Sequence, residues 1–237
     1  MSKVVAIMQP TYMPWLGYLG MIARSDVFVF LDNVQFEQRS WQQRNRVKGN
    51  SGVQWLTIAA KTKGLFEQKI YEVECDNLQV DTTKHLRTIA HNYSKAANFR
   101  EFYKEFERIV FSARELSSGL LARFNMLLIK EFCAYAGLRN NIVLASELNA
   151  IGQKDALLAN ICLELQADTY LSALGSKVYL DDSTSFNERG IAIAYNNYIH
   201  PQYPQLYGDF IEGMSCIDAF LNVDKSEINN LILSGYK

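Results

Sequence analysis

The three histidines, His85, His91 and His200, are the side chains of this sequence whose ordinary pKa lies near neutrality. A neutral imidazole takes a proton from an attacking amine, so each histidine is a candidate general base. His200 lies in His200-Pro201-Gln202-Tyr203-Pro204-Gln205, where two prolines predict a stiff loop rather than a helix. We expect His200, and after it His85, to be the catalytic base, with Tyr203 as a binding residue. The alternative is that these side chains only pack.

A cationic segment lies between residues 35 and 48, and it contains aromatic side chains as well as arginines. Guanidinium groups bind phosphate through paired hydrogen bonds, so this segment suits a diphosphate. The alternative is an ordinary solvated loop ahead of a strand over Val53–Ala60. The candidate binding residues of the segment are Arg39, Trp41, Arg44, Asn45 and Arg46.

The first loop of the chain carries a second set of candidates. An apolar run over Val4–Met8 breaks into prolines and aromatic residues, and a helical stretch follows. Ligands bind where a parallel strand ends and a helix begins, because free backbone N–H groups and the helix dipole meet there. Aromatic rings stack on a base or a sugar, unless they only pack on the sheet. The candidates on this loop are Gln9, Tyr12, Trp15 and Tyr18.

A parallel sheet is needed to bring these residues together. The apolar runs Val4–Met8 and Val27–Leu31 predict two adjacent parallel strands, because a helical crossover of about a dozen residues joins them. Further strands are expected at residues 141–144, 169–172 and 191–195. The prediction is a single α/β domain over residues 1–237, with a mostly parallel sheet and a helical insert.

The helical insert is expected at about residues 81–137, where apolar residues recur at three-to-four spacing. Asp81 or Thr82 is expected to cap its first helix. Ser146, where a strand meets a helix, is expected to act as a cap or to form a local turn. The Ser215–Asp218 pair has the S-x-x-D spacing of a capping pattern and requires no chemistry.

Composition excludes several classes of protein. The chain has 237 residues, 49% hydrophobic content and a net charge of −1, which suits one large domain and disfavours nucleic-acid binding. No leader and no apolar run of membrane-spanning length is visible, so we expect a cytosolic protein. The four cysteines lack C-x-x-C spacing and the histidines lack metal-ligand spacing, so reduced core thiols and no metal site are expected. No cofactor is expected.

The order of motifs along the chain resembles the WbqC-like protein family. The resemblance covers nearly the whole chain, although the loop at residues 173–176 is less glycine-rich than the family pattern. The motifs that carry it are Ala6-Ile7-Met8-Gln9-Pro10, Pro14-Trp15-Leu16-Gly17-Tyr18, Asp32-Asn33-Val34-Gln35-Phe36, Arg39, Trp41, Arg44-Asn45-Arg46, His85, Tyr93, Ser146-Glu147-Leu148, Tyr170-Leu171-Ser172, His200-Pro201-Gln202-Tyr203-Pro204-Gln205 and Ser215-Cys216-Ile217-Asp218.

Members of that family occur among bacterial surface-polysaccharide (O-antigen) genes. The resemblance implies transfer of an acyl or glycine-like aminoacyl group to an amino sugar. The expected partners are therefore a nucleotide-activated amino sugar and an acyl donor that the sequence does not identify.

A more distant similarity joins the opening of the chain to the nucleotidyltransferase superfamily. The H-x-G-H motif of that superfamily falls on Trp15, Leu16, Gly17 and Tyr18, so the glycine matches and both histidines are absent. The absence argues against nucleotidyl transfer by that mechanism but not against the fold, so this similarity implies a Rossmann-like core of the nucleotidyltransferase (HUP-like) type. Two alternatives to acyl transfer stay open: a divergent nucleotidyltransferase, and a non-catalytic nucleotide-sugar-binding or scaffold protein.

Overall fold

A parallel sheet forms the centre of the protein, which is described by a computed structural model over residues 2–139 and 141–236. The strands in that part of the chain are β1 Val4–Met8, β2 Val27–Phe30, β3 Arg44–Gly49, β4 Gly52–Thr57, β5 Ile142–Leu144, β6 Thr169–Ala173 and β7 Ala192–Asn196. Five of them form the parallel sheet in the order β5-β2-β1-β6-β7, and β3 and β4 form a separate antiparallel hairpin.

The first two strands are adjacent and parallel, as predicted. Val5 of β1 lies beside Val27 of β2, and the pairing continues to Met8 and Phe30. Both strands are buried on both faces, because their side chains alternate between two separate hydrophobic clusters. Continuous apolar runs are typical of parallel strands that helices cover on both sides. The predicted α/β class with a mostly parallel sheet is therefore confirmed.

Helices cover the two faces of this sheet unequally. Their bounds are α1 Leu16–Ala23, α2 Leu78–Tyr93, α3 Phe99–Leu116, α4 Leu121–Tyr135, α5 Lys154–Glu164, α6 Lys177–Leu180, α7 Cys216–Asn222 and α8 Lys225–Ser234. The larger cluster contains residues of α1 to α4, α7 and α8, whereas Leu157 and Ile161 of α5 lie in the smaller one. No helix within the described ranges has the length and apolar character needed to cross a bilayer.

The helical middle of the chain packs against the C-terminal helix α7. The Phe220 ring of α7 lies 5.2 Å from that of Phe102 in α3 and 6.0 Å from that of Phe132 in α4, measured between centroids and edge-on in both cases. Edge-to-face aromatic contacts of this kind add to the energy of area burial. All four cysteines are buried and none forms a disulfide, as expected for core thiols.

Two predicted helix caps are wrong. Helix α2 begins earlier than expected, and the Asn77 side chain caps it by accepting a hydrogen bond from the Val80 N–H at 3.1 Å. Asp81 instead accepts the N–H of Ala59, so it fixes the chain that leaves the hairpin. Ser146 does not cap a helix, because its hydroxyl donates to the buried Asp32 carboxylate at 2.7 Å. A buried carboxylate needs donors, and Ser146 supplies them at the neighbouring strand end.

The cationic segment is not an ordinary loop, because its second half is strand β3. Asn45 and Val47 are buried while Arg44 and Arg46 are half-buried, which is the two-residue alternation of a strand. The hairpin turns at Asn50 and Ser51, and Gly52, which follows them, has a φ of 101° in the region that favours glycine. The hairpin therefore fixes the directions of the arginine side chains.

Candidate functional site

A cavity of about 450 Å³ opens at the carboxyl end of β1. The strand order reverses at β1, and ligands of open parallel sheets bind where such a reversal leaves a crevice. We call it the β1 cavity. Its lining residues are Met8, Thr11, Trp15, Tyr18, Trp41, Asn45, Arg46, Tyr198, His200, Glu212 and Gly213.

The first loop reaches this cavity because the hairpin holds it in place. The side-chain amide of Asn45 donates to the backbone carbonyls of Tyr12 and Met13, at 3.0 and 2.8 Å. Met13 has a φ of 42°, so the loop turns sharply where Asn45 holds it. Asn45 lines the cavity, but both of its N–H groups are used in shaping it.

Trp15 and Tyr18 enter the cavity from the start of α1. The Trp15 ring lies so close over Gly17 that a Cβ at residue 17 would fall 2.2 Å from it. Tyr18 donates its hydroxyl to the Gln9 carbonyl at 2.9 Å. The glycine that matches the nucleotidyltransferase motif therefore makes room for an aromatic wall here.

Arg46 is the cationic side chain in the lining of the cavity. Its guanidinium donates to the Gly213 carbonyl at 3.1 Å and lies 5.7 Å from the centroid of the Trp41 ring. Within the described part of the chain it has no carboxylate partner, and its buried Nε has no hydrogen-bond acceptor. Glu212 also lines the cavity but forms no ion pair with Arg46, so the guanidinium is free to donate to an anionic ligand.

A stack of two indoles between two cations continues outward from Arg46. The Trp41 and Trp55 rings are 5.4 Å apart, and the Arg44 guanidinium lies 4.5 Å from the Trp55 ring. Trp41 is 49% exposed and Trp55 is 47% exposed, so the stack borders the solvent. Cation–aromatic contacts hold both guanidinium groups in fixed planes. Arg44 lies in this stack and outside the cavity.

His200 faces the first loop from the other side of the cavity. Its ring stacks on Trp15 with 6.1 Å between centroids, and its Nδ1 hydrogen-bonds with the Pro201 carbonyl at 3.1 Å. A carbonyl only accepts, so in the neutral ring Nδ1 carries the proton and Nε2 holds a lone pair. Burial lowers the pKa of His200 below its ordinary value, so the neutral ring is the form present at pH 7.

Three buried polar atoms in this lining have no hydrogen-bond partner among the described residues: Arg46 Nε, Tyr198 Oη and His200 Nε2. Buried polar atoms in folded proteins are almost always paired, so unpaired ones on three residues that line one cavity indicate a place for a bound molecule. Tyr198 was not among the site residues predicted from the sequence. The signal was its position just after a strand of the parallel sheet, two residues before His200.

His85 lies outside the β1 cavity, on the buried face of α2. Its Nδ1 hydrogen-bonds with the hydroxyl of Tyr12 at 2.8 Å, and both side chains are buried. Burial lowers the pKa of His85 to about 4. Tyr12 and His85 were both proposed as site residues, and the structure joins them to each other at a distance from the cavity lining.

This burial predicts a pH-dependent stability. The unfolded chain protonates His85 near its ordinary pKa of 6.5 and the folded chain only near 4, so protons favour unfolding between these values. The contribution of His85 to the free energy of unfolding is fully present above pH 6.5 and is lost as the pH falls toward about 4. We expect the free energy of unfolding to fall by about 2–3 kcal/mol through His85 between about pH 7.5 and about pH 4.5.

Urea unfolding of the wild type and of His85→Gln at these two pH values measures the effect. The variant should lose less stability on acidification than the wild type, by the amount stated above. Equal pH dependence in the two proteins would contradict a buried, neutral His85.

Three further predicted site residues also lie outside the cavity lining. Gln9 borders it, and its side-chain oxygen accepts from the Gln42 amide at 2.8 Å. Arg39 is exposed on a turn, with a φ of 59°. Tyr203 is buried and donates to the Asp218 carboxylate at 2.9 Å.

The Asp218 carboxylate is the centre of a buried polar network that the capping interpretation missed. Ser215 does cap α7, by accepting the N–H of Ile217. Asp218 is 0% exposed and accepts hydrogen bonds from Tyr93, Tyr203 and Gln205. Burial raises the pKa of this carboxyl above its ordinary value. The network ties α2 and α7 to the loop that carries His200.

Lys48 of β3 reaches the same loop. Its side chain is 1% exposed, and its ammonium donates to the Asp209 carbonyl at 2.5 Å. Its backbone N–H donates to the Tyr93 hydroxyl at 2.8 Å. The hairpin therefore positions Arg46 and, through Lys48, also holds the loop opposite. Among the described residues, no three acidic, histidine or cysteine side chains cluster as a metal site would require.

Comparison with known proteins finds similarity over nearly the whole chain. The sequence model of the WbqC-like protein family matches residues 9–230. An uncharacterized protein of Mycobacterium tuberculosis, Rv1507c, is 34% identical over 223 residues, which cover 93% of this chain and 94% of that protein. No solved structure matches the chain. The matched range includes every lining residue of the β1 cavity except Met8.

Proposed function

Since the chain belongs to the WbqC-like protein family, we propose that it is a transferase of bacterial surface-polysaccharide (O-antigen) biosynthesis. It transfers an acyl or aminoacyl group to the amino group of a nucleotide-linked amino sugar. The sugar and the nearer phosphate occupy the β1 cavity.

The observation that carries this proposal is the set of unpaired atoms at Arg46, Tyr198 and His200 between two indole walls. A pyranose or a base stacks on Trp15 and Trp41, and a diphosphate accepts hydrogen bonds from the free guanidinium edge. A hydroxyl or amino group of the sugar satisfies Tyr198 Oη and His200 Nε2. A volume of about 450 Å³ lies in the range of small-molecule sites.

The chemistry follows from the tautomer of His200. The sugar amine attacks the carbonyl carbon of the acyl donor, and an N–C bond forms. His200 Nε2 accepts the proton that the nitrogen loses as the tetrahedral intermediate forms. The bond from that carbon to the leaving group then breaks, and His200 returns the proton to the leaving group. The Pro201 carbonyl holds the ring in the required tautomer throughout.

Arg46→Gln tests the binding half of this proposal. A guanidinium paired with phosphate contributes charge-assisted hydrogen bonds, so the variant should bind UDP-linked amino sugars about 1.5–3 kcal/mol more weakly in calorimetry. Arg44→Gln is the matched comparison, because Arg44 lies over Trp55 outside the cavity. It should weaken binding less.

Equal losses in the two variants would contradict phosphate binding by Arg46. Binding that depends on Arg46 without product from any tested acyl donor would favour the binding-protein alternative. Products are detected by mass spectrometry of the amino sugar.

A further inference from the structure

A second cavity, of about 840 Å³, opens at the carboxyl ends of β2 and β5. Its walls come from the segments that follow these strands, from one face of α4 and from the turn at Lys69 and Tyr71. We call it the α4 cavity. Since β2 is the neighbour of β1, the two cavities open side by side on the same edge of the sheet.

Three cations line the α4 cavity: Lys69, Arg123 and Lys130. Within the described ranges, none of them has a carboxylate oxygen within 4.0 Å. Of the two acids in the lining, Asp32 is 1% exposed and already accepts both the N–H and the hydroxyl of Ser146. The other acid, Glu147, is exposed. The lining therefore carries more free positive than negative charge.

The face of α4 that lines this cavity has a regular pattern. Arg123, Met126, Leu127 and Lys130 are spaced at i, i+3, i+4 and i+7, so they share one face of the helix. Two cations thus flank two apolar side chains. This arrangement fits a ligand that has an anionic end and a less polar arm.

The first turn of α4 adds hydrogen-bond donors at the same place. Helix α4 has no side-chain cap and no acidic residue in its first turn. The backbone N–H groups of Ala122 and Arg123 have no acceptor in the described part of the chain, and both residues line the cavity. Free N–H groups and the positive end of a helix dipole bind phosphate, and here they meet the Arg123 side chain.

We propose that the α4 cavity binds the phosphate-bearing end of the second substrate, the acyl donor. The phosphate lies at the first turn of α4 beside Arg123, and the less polar arm lies along Met126 and Leu127. The identity of this ligand as the donor rests on the proposed function, whereas the phosphate site itself does not.

Calorimetry with coenzyme A and with inorganic pyrophosphate tests the site. Coenzyme A is the main probe because it combines phosphate groups with a long, less polar arm; pantetheine, which lacks phosphate, serves as the comparison. Both phosphate-bearing probes should bind the wild type, coenzyme A more tightly than pyrophosphate, and pantetheine far more weakly. The double variant Arg123→Ala/Lys130→Ala should weaken both by about tenfold or more.

The matched control is Arg100→Ala/Lys104→Ala, which removes the same two residue types from the exposed surface of α3. It should leave the affinity for both probes unchanged. Absence of binding to the wild type would overturn the proposal, as would equal losses in the two double variants. Loss of coenzyme A binding in Arg46→Gln would also overturn it, by assigning the probe to the β1 cavity. If UDP-linked sugars did not bind to the β1 cavity, the results expected for coenzyme A and pyrophosphate at the α4 cavity would stay the same.

Discussion

His200→Asn should lower the rate of amino-sugar acylation by about 10²–10⁴-fold, the usual effect of removing a general base. The substitution keeps a side-chain N–H close to the position of Nδ1, so the bond to the Pro201 carbonyl is retained. It removes the lone pair that Nε2 offers to the attacking amine. Folding and sugar binding should therefore be preserved while turnover is lost.

The measurement is the rate at which N-acylated product forms, followed by mass spectrometry with saturating amino sugar. Because burial lowers the pKa of His200, the acidic decline of the wild-type rate should lie below the ordinary value of 6.5. Below the lowered pKa, Nε2 carries a proton and accepts no other, so activity falls as the pH falls. The Asn variant should lack this decline.

Full activity of His200→Asn would exclude His200 as the base. If His85→Asn and His91→Asn were fully active as well, no histidine of this chain would be the general base. The binding-protein alternative would then account better for the cavity.

Asp218→Ala should lower the free energy of unfolding by about 3–5 kcal/mol. The carboxylate accepts hydrogen bonds from Tyr93, Tyr203 and Gln205 inside the protein, and removing it leaves these donors without their acceptor. Lys48 also loses its electrostatic attraction to this carboxylate. Unpaired buried donors and an unpaired buried cation are among the few causes of so large a loss.

Urea unfolding at neutral pH measures this loss. Asp224→Ala is the matched control, because Asp224 caps α8 at an exposed position and makes only local hydrogen bonds. Its effect should be much smaller. A loss for Asp218→Ala no larger than that of the control would show that the buried network contributes little to stability.

The sheet could be predicted from the sequence because its signals are local. The runs Val4–Met8 and Val27–Phe30 are continuous and apolar, and a short helix between them allows only a parallel crossover. The hairpin could not be predicted in the same way, because β3 reads as a polar, cationic segment. Its buried residues Asn45 and Lys48 are polar, and only partners from distant parts of the chain satisfy them.

Several residues of the candidate site could be predicted one by one from the sequence, but their arrangement could not. Trp15, Trp41, Arg46 and His200 were each proposed from their residue types, and the structure brings them to one cavity. Their convergence depends on contacts across more than a hundred residues, which no local pattern encodes. Asp218 illustrates the opposite difficulty: an S-x-x-D spacing is the same whether the acid is exposed or is buried in a network.

The cation–indole stack has an optical consequence. The chain contains three tryptophans, of which Trp15 and Trp41 line the β1 cavity and Trp55 lies 5.4 Å from Trp41. The tryptophan emission of this protein therefore originates in and beside the cavity. Guanidinium contacts and solvent access set the wavelength and intensity of that emission. Ligand binding in the cavity should therefore change the intrinsic fluorescence, which is measured without an attached dye.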